Sequence, residues 1–173
     1  NGCCGQVNGT REPISTPRMF KQAMASLATG VAVVTGVDSD SRPVGLTASA
    51  ASYSVSPPSV ITCIDDSSRS FHGLTQGDQF TVNFLNERQS AVATLFASKA
   101  TDKFERSWCT RWDNGLFVIQ DALVSLICQQ TFMTTHGDHA IVIGRVVDGC
   151  IKNHRPLVYW QRNFHSIRDV HNG

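Results

Sequence analysis

Val31-Ala32-Val33-Val34-Thr35-Gly36-Val37, Val44-Gly45-Leu46-Thr47-Ala48-Ser49 and Val60-Ile61-Thr62-Cys63-Ile64-Asp65 follow one another within residues 31–65, separated by turn-forming residues. Runs this short and this rich in β-branched residues read as strands. The same texture returns in Phe80–Leu85, Leu116–Ile119, Ala122–Gln129, Ala140–Val147 and Leu157–Trp160. Strands that do not alternate regularly with long helices point to a mainly β barrel, not to a doubly wound sheet.

Two helices are expected among them. Thr16 caps the first, Pro17 fits its opening position, and Phe20, Ala23, Met24 and Leu27 share a face that ends at Gly30. Asn86, with Gln89 three residues on, resembles a capping box for the second, whose apolar face would be Ala91, Val92, Leu95 and Phe96. Residues 99–115 are polar and carry two Trp, as in a loop or short helix. The Gly- and Cys-rich residues 1–15 read as a flexible leader, and 16–173 as one domain without repeat or linker.

Composition narrows the function classes. The chain is 41% hydrophobic and 17% charged, with a formal net charge of +1. It has no basic run of the kind that nucleic acid or an anionic membrane attracts. No apolar run reaches the ~18 residues that span a bilayer. The six cysteines form no C-x-x-C. Free thiols in an intracellular, cytoplasmic protein are the simplest reading.

Three constellations can carry chemistry. In Asp65-Asp66-Ser67-Ser68-Arg69-Ser70, directly after a strand, Ser67 or Ser68 can cap a short helix. Two hydroxyls, free backbone N–H groups and an Arg there suit a phosphate, and an ordinary cap with a solvated Arg explains the same residues. In Gly45-Leu46-Thr47-Ala48-Ser49-Ala50-Ala51-Ser52, small residues allow a flat ligand to approach and hydroxyls to bond its polar edge; a strand packed tightly on a neighbour reads the same way. In His136-Gly137-Asp138-His139, a turn leads into a strand, and period two sets His139 on the face of Ile141 and Ile143. His139 then faces a pocket or is a satisfied turn residue. A zinc site of His136, Asp138 and His139 lacks an outlying ligand. There is no G-x-G-x-x-G after a strand, no phosphate-binding G-x-x-x-x-G-K-[ST] and no G-x-S-x-G.

Taken in order over residues 19–168, these segments resemble the flavin reductase-like family, the FMN-binding split barrels. The resemblance rests on Ala28-Thr29-Gly30-Val31, Gly45-Leu46-Thr47-Ala48-Ser49, Ser54-Val55-Ser56-Pro57-Pro58 and Asp65-Asp66-Ser67-Ser68-Arg69. It continues in Phe80-Thr81-Val82-Asn83-Phe84-Leu85, the stretch from Phe96 to Phe104, Gly137-Asp138-His139 and Pro156-Leu157-Val158-Tyr159-Trp160. The family implies a Greek-key split barrel with a few flanking helices, assembled as a homodimer. It implies FMN or FAD reduced by NADH or NADPH, and a flavin-dependent monooxygenase as the partner that receives the reduced flavin.

Residue by residue, the resemblance implies that Thr29, Val31, Thr47, Ala48 and Ser49 line the flavin ring, flanked by Cys63 and Asp65. It implies that Ser67 and Ser68 meet the phosphate or ribityl chain, that Phe104 covers the ligand, and that His139 contacts the nicotinamide with Tyr159 near the same pocket. Ser49 stands where many members carry Asn, Ala51 replaces a bulkier residue, Ile127 sits where an acidic residue is common, and Asn163-Phe164-His165 replaces a Gly-Tyr-type ending. Hydride transfer between two cofactors needs no acid–base pair in the protein, and the sequence shows none. A flavin carrier, or a flavin enzyme acting on an organic substrate, would share the fold.

Overall fold

The computed structural model describes residues 13–105 and 107–168; most of the expected leader, and the chain's last five residues, lie outside them. In chain order the elements are α1 (Pro17–Ala25), β1 (Thr29–Gly30), β2 (Ala32–Val37), β3 (Pro43–Ala48), β4 (Ala50–Val55), β5 (Pro58–Asp65), α2 (Phe71–Gln76) and β6 (Gln79–Phe84). There follow α3 (Ser90–Ala97), β7 (Cys109–Arg111), β8 (Phe117–Ile119), β9 (Val124–His136), β10 (His139–Ile151), β11 (Leu157–Trp160) and β12 (Asn163–Ser166).

Seven strands form one sheet in the order β3-β2-β6-β9-β10-β5-β4, every pair antiparallel. Its two edge strands, β3 and β4, are joined by Ser49 alone. A one-residue link between opposite edges requires the sheet to curl round on itself. Ser49 holds the seam: its carbonyl accepts from the Thr62 hydroxyl (2.8 Å) and from Cys63 N–H (3.4 Å) on β5. The result is the split, mainly β barrel that the resemblance implies. A small sheet β1-β11-β12 and the ribbon β7-β8 pack outside it.

Period-two alternation explains the core. Ala32 and Val34 of β2, Val60 and Ile64 of β5, Phe80 and Val82 of β6 and Ala140 and Val142 of β10 point into the barrel. The other face of β2, with Val31 just before it, packs against α3 and β11 through Val33, Val92, Phe96 and Leu157. Outside β6, the fully buried Asn83 spans this second layer. Its amide donates to Val33 O (3.1 Å) and Thr81 Oγ1 (2.8 Å), and its carbonyl accepts from Ile119 N–H (3.0 Å) and the Ser125 hydroxyl (2.9 Å).

Several local expectations change. α1 starts as expected, with Met19 N–H donating to Thr16 Oγ1 at 3.4 Å, but it ends at Ala25. Gly30 instead pairs with Val158 in β1, and Phe20, Met24 and Leu27 remain exposed. Asn86 and Gln89 make half of the expected box, Gln89 Oε1 accepting from Asn86 N–H at 3.0 Å, yet α3 begins only at Ser90. Its buried residues are Val92, Ala93 and Phe96, with Ala91 turned outward. Neither Ser67 nor Ser68 caps α2; Ser70 stands at the N-cap position but makes no side-chain cap, its hydroxyl being drawn to Gly45. β9 and β10 run on past the expected strands into a long hairpin arm turned at Gly137, whose φ of 62° suits glycine. β4, rich in Ala and Ser, is a strand that its composition does not announce: it is held by pairing with β5.

Candidate functional site

The edge of β3 is the floor of the site. At Gly45 its outward backbone groups are taken: N–H donates to Ser70 Oγ at 3.0 Å, and C=O accepts from the Ser70 hydroxyl (2.9 Å) and from Lys103 Nζ (3.4 Å). Two residues on, the same alternation turns the N–H and C=O of Thr47 outward. No described residue bonds them. The Thr47 hydroxyl is committed to Ala93 O at 2.7 Å, which ties the edge to α3. Thr47 therefore offers one free donor and one free acceptor on an edge whose neighbouring side chains, Ala48 and Ser49, are small.

A cavity of about 400 Å³ opens over this edge. It brings together Thr29, Val31, Thr47, Ala48, Ser49 and Tyr159, six of the residues the sequence selected. α3 adds Ala93, Thr94 and Ala97, and the β11–β12 hairpin adds Arg162 and Phe164. The Tyr159 and Phe164 rings, 5.2 Å apart, form one wall. Sequence reading misses the α3 residues because helical period alone does not say what the helix faces. It sees the segment after Trp160 only as a departure from family pattern, although that departure marks the place.

The remaining selected residues lie beside this cavity and not in its lining. Cys63 follows the seam at Ser49 and pairs with Ile141; Asp65 pairs with His139. Ala140 and Val142 point into the barrel, so His139, Ile141 and Ile143 share the outer face, as do Cys63 and Asp65. Asp66 N–H donates to Asp138 O at 3.0 Å, joining the 65–68 turn to the hairpin turn. Asp65 Oδ1 accepts from the Ser67 hydroxyl (2.6 Å) and N–H (2.8 Å), which hold its carboxyl below the usual carboxylate range. The Ser68 hydroxyl accepts from Ser70 N–H at 3.2 Å and keeps its own proton to donate.

His139 Nδ1 lies 2.7 Å from Asp138 Oδ1, and this hydrogen bond holds the Asp138 carboxyl low. A carboxylate on Nδ1 favours the proton there and leaves Nε2 as an acceptor at the strand mouth. Phe104 packs edge-on between Phe96 (5.3 Å) and Phe117 (5.4 Å), behind Gly45. Burial, with nearby Arg69, lowers the pKa of Lys103 beside it. Among the described residues no cluster of three His, Cys, Asp or Glu could hold a metal, and no helix is long and apolar enough to cross a membrane.

Residues 24–168 match the flavin reductase like domain family. An NADH:riboflavin 5'-phosphate oxidoreductase of Streptomyces pristinaespiralis is 35% identical over 158 residues, covering 89% of this chain and 90% of its own length. The reductase subunit of a flavin-dependent monooxygenase of Rhodococcus jostii is 31% identical over 153 residues, 87% of this chain and 78% of its own length. A solved NADH:FAD oxidoreductase of Streptomyces globisporus, in complex with NAD and FAD fragments, superposes with a TM-score of 0.84 at 26% identity, covering 95% of this chain and 99% of that one. The chain spans only 42% of the length of a probable flavin reductase of Rhizobium meliloti, to which it is 34% identical over 131 residues.

Proposed function

This chain belongs to the flavin reductase-like domain family, and on that premise we propose that its cavity takes the ring of FMN or FAD for reduction by NADH or NADPH. It is an oxidoreductase of the kind its relatives are named for. The observation that carries the reading is the free donor and acceptor of Thr47 on a floor of small side chains. A flat heterocycle with alternating polar atoms along one edge needs such a partner. The flavin and nicotinamide supply the hydride transfer itself; the protein supplies binding and orientation.

Thr29 and Val31 form one side of the ring site, Thr47, Ala48 and Ser49 its floor, and Tyr159 with Phe164 its wall. Cys63 and Asp65 extend the floor beyond Ser49. Ser67 and Ser68 reach the ribityl chain, a neutral polyol that tolerates the carboxylates of Asp65 and Asp66. His139, with Nδ1 held by Asp138, offers Nε2 to the carboxamide of the nicotinamide. Phe104 stiffens the edge from behind.

We further propose a homodimer, which would cover the apolar side chains that α1 and the hairpin arm expose, among them Phe20, Met24, Phe132 and Met133. A flavin-dependent monooxygenase is the proposed acceptor of the reduced flavin, in the cytoplasm where NAD(P)H is supplied. The test is oxidation of NADH and NADPH by purified protein with added FMN, FAD or riboflavin, beside flavin fluorescence titration. Flavin binding without NAD(P)H oxidation would favour a carrier; no binding of any flavin would refute the site.

A further inference from the structure

Among the described residues lining the cavity Arg162 is the one that carries a charge, and Thr29, Thr47, Ser49, Thr94 and Tyr159 supply neutral polar groups. It sits in the two-residue turn between β11 and β12, with Gln161 and Arg162 both in left-handed backbone (φ 48° and 64°). Such turns favour Asn and Gly, so local preference does not account for arginine here. The turn is fixed from outside: Gln161 N–H donates to Ala25 O at 2.9 Å, and Trp160 Nε1 to Ser26 O at 3.1 Å. No described carboxylate pairs with the Arg162 guanidinium. The proposed ribityl chain leads the flavin phosphate to the other polar end, the 65–68 turn, where Arg69 stands with Ser67 and Ser68. Arg162 is left to attract a phosphate of the second nucleotide.

We infer that Arg162 anchors a phosphate of the nicotinamide dinucleotide that reduces the flavin. The inference rests on the flavin reductase reading and adds to it a charged group that holds the second nucleotide. Arg162→Gly is the variant of choice, because glycine adopts φ 64° freely and the fold should hold. KM for NADH and NADPH should rise about tenfold, while riboflavin, FMN and FAD affinities by fluorescence titration stay within twofold of wild type. Arg162→Lys should restore part of the loss, more so at low salt. All five ligands within twofold of wild type overturns the inference, and so does weakened flavin binding, which with riboflavin unchanged would assign Arg162 to the flavin phosphate instead. Wild-type protein that binds no flavin overturns the underlying reading as well, and is told apart by needing no variant.

Discussion

Replacing His139 by Ala tests the proposed nicotinamide contact. The His139 side chain is 43% exposed, and its one described hydrogen bond runs to Asp138, itself 88% exposed. Removing an imidazole so placed should change folding stability by no more than about 0.5 kcal/mol, the range of surface substitutions. The strand beneath it is held by Ala140 and Val142, which point into the core and are untouched. The flavin ring site lies along Thr47 and Ser49, so flavin affinity should also stay within twofold. The substitution removes a single hydrogen bond, from the carboxamide N–H to Nε2, worth about 1–1.5 kcal/mol, and kcat/KM for NADH or NADPH should fall roughly tenfold. Asp138→Asn should give a smaller fall, because the amide oxygen still accepts from Nδ1–H. Steady-state oxidation of NADH, flavin titration and thermal unfolding on the same preparations make the measurement. An unchanged kcat/KM would refute the contact, and so would a fall in kcat/KM accompanied by losses of flavin affinity and melting temperature. Inhibition of wild type by a chelator would point instead to a metal.

The remaining expectations concern the frame around the site. Asn83→Ala strands Ile119 N–H and the Ser125 hydroxyl and removes one bond each from Val33 O and from Thr81 Oγ1, which keeps Thr35 and Phe117 O; it should cost about 2–4 kcal/mol in denaturant unfolding, and a loss under about 1 kcal/mol would show that water replaces the amide. At Gly144 an added Cβ would lie 2.5 Å from Phe80 Cζ and 2.7 Å from Cys128 Cβ, so Gly144→Ala should destabilise by about 1–3 kcal/mol, and an unchanged melting temperature would contradict that packing. Burial pushes the Cys128 thiol up to about 12 and the Cys109 thiol up to about 11. Mass mapping with a thiol reagent near pH 8 should therefore label exposed Cys150 and spare both; because these folded-state values are raised, stability should decline once pH climbs past the unfolded thiol value of about 8.5. The carboxyls of Asp38, Asp65, Asp121 and Asp138 are all held low by hydrogen bonds. Their contribution should be complete above the unfolded carboxylate range near pH 4 and fade as pH falls below it, with added salt weakening the effect; a melting temperature flat from pH 6 to about 3 would refute this.

Much of the frame is legible in the chain. β-branched runs became β2, β3, β5 and β6 because residues with crowded Cβ atoms prefer extended backbone whatever surrounds them. Thr16-Pro17 began a helix because both residues act within a single turn. Thr47, Ala48 and Ser49 could be selected because small size and a hydroxyl are properties of the residue itself. Where a helix ends, and which hydroxyl caps it, proved less local: Gly30 was taken into a strand by Val158, and the Ser70 hydroxyl went to Gly45 across the fold.

The sequence by itself determined the mainly β architecture, the family and the small-residue edge on which a flat ligand can lie, since each follows from residue type and order along the chain. Tertiary structure alone decided that the two edges of the sheet meet at Ser49, leaving the backbone of Thr47 without a partner among the described residues. It also decided that a turn held by Ala25 and Ser26 carries Arg162 into the same cavity. The physical reason is that hydrogen-bond vacancy and convergence of charge arise between segments far apart in sequence. No local preference encodes which groups a folded neighbour will satisfy and which it will leave free.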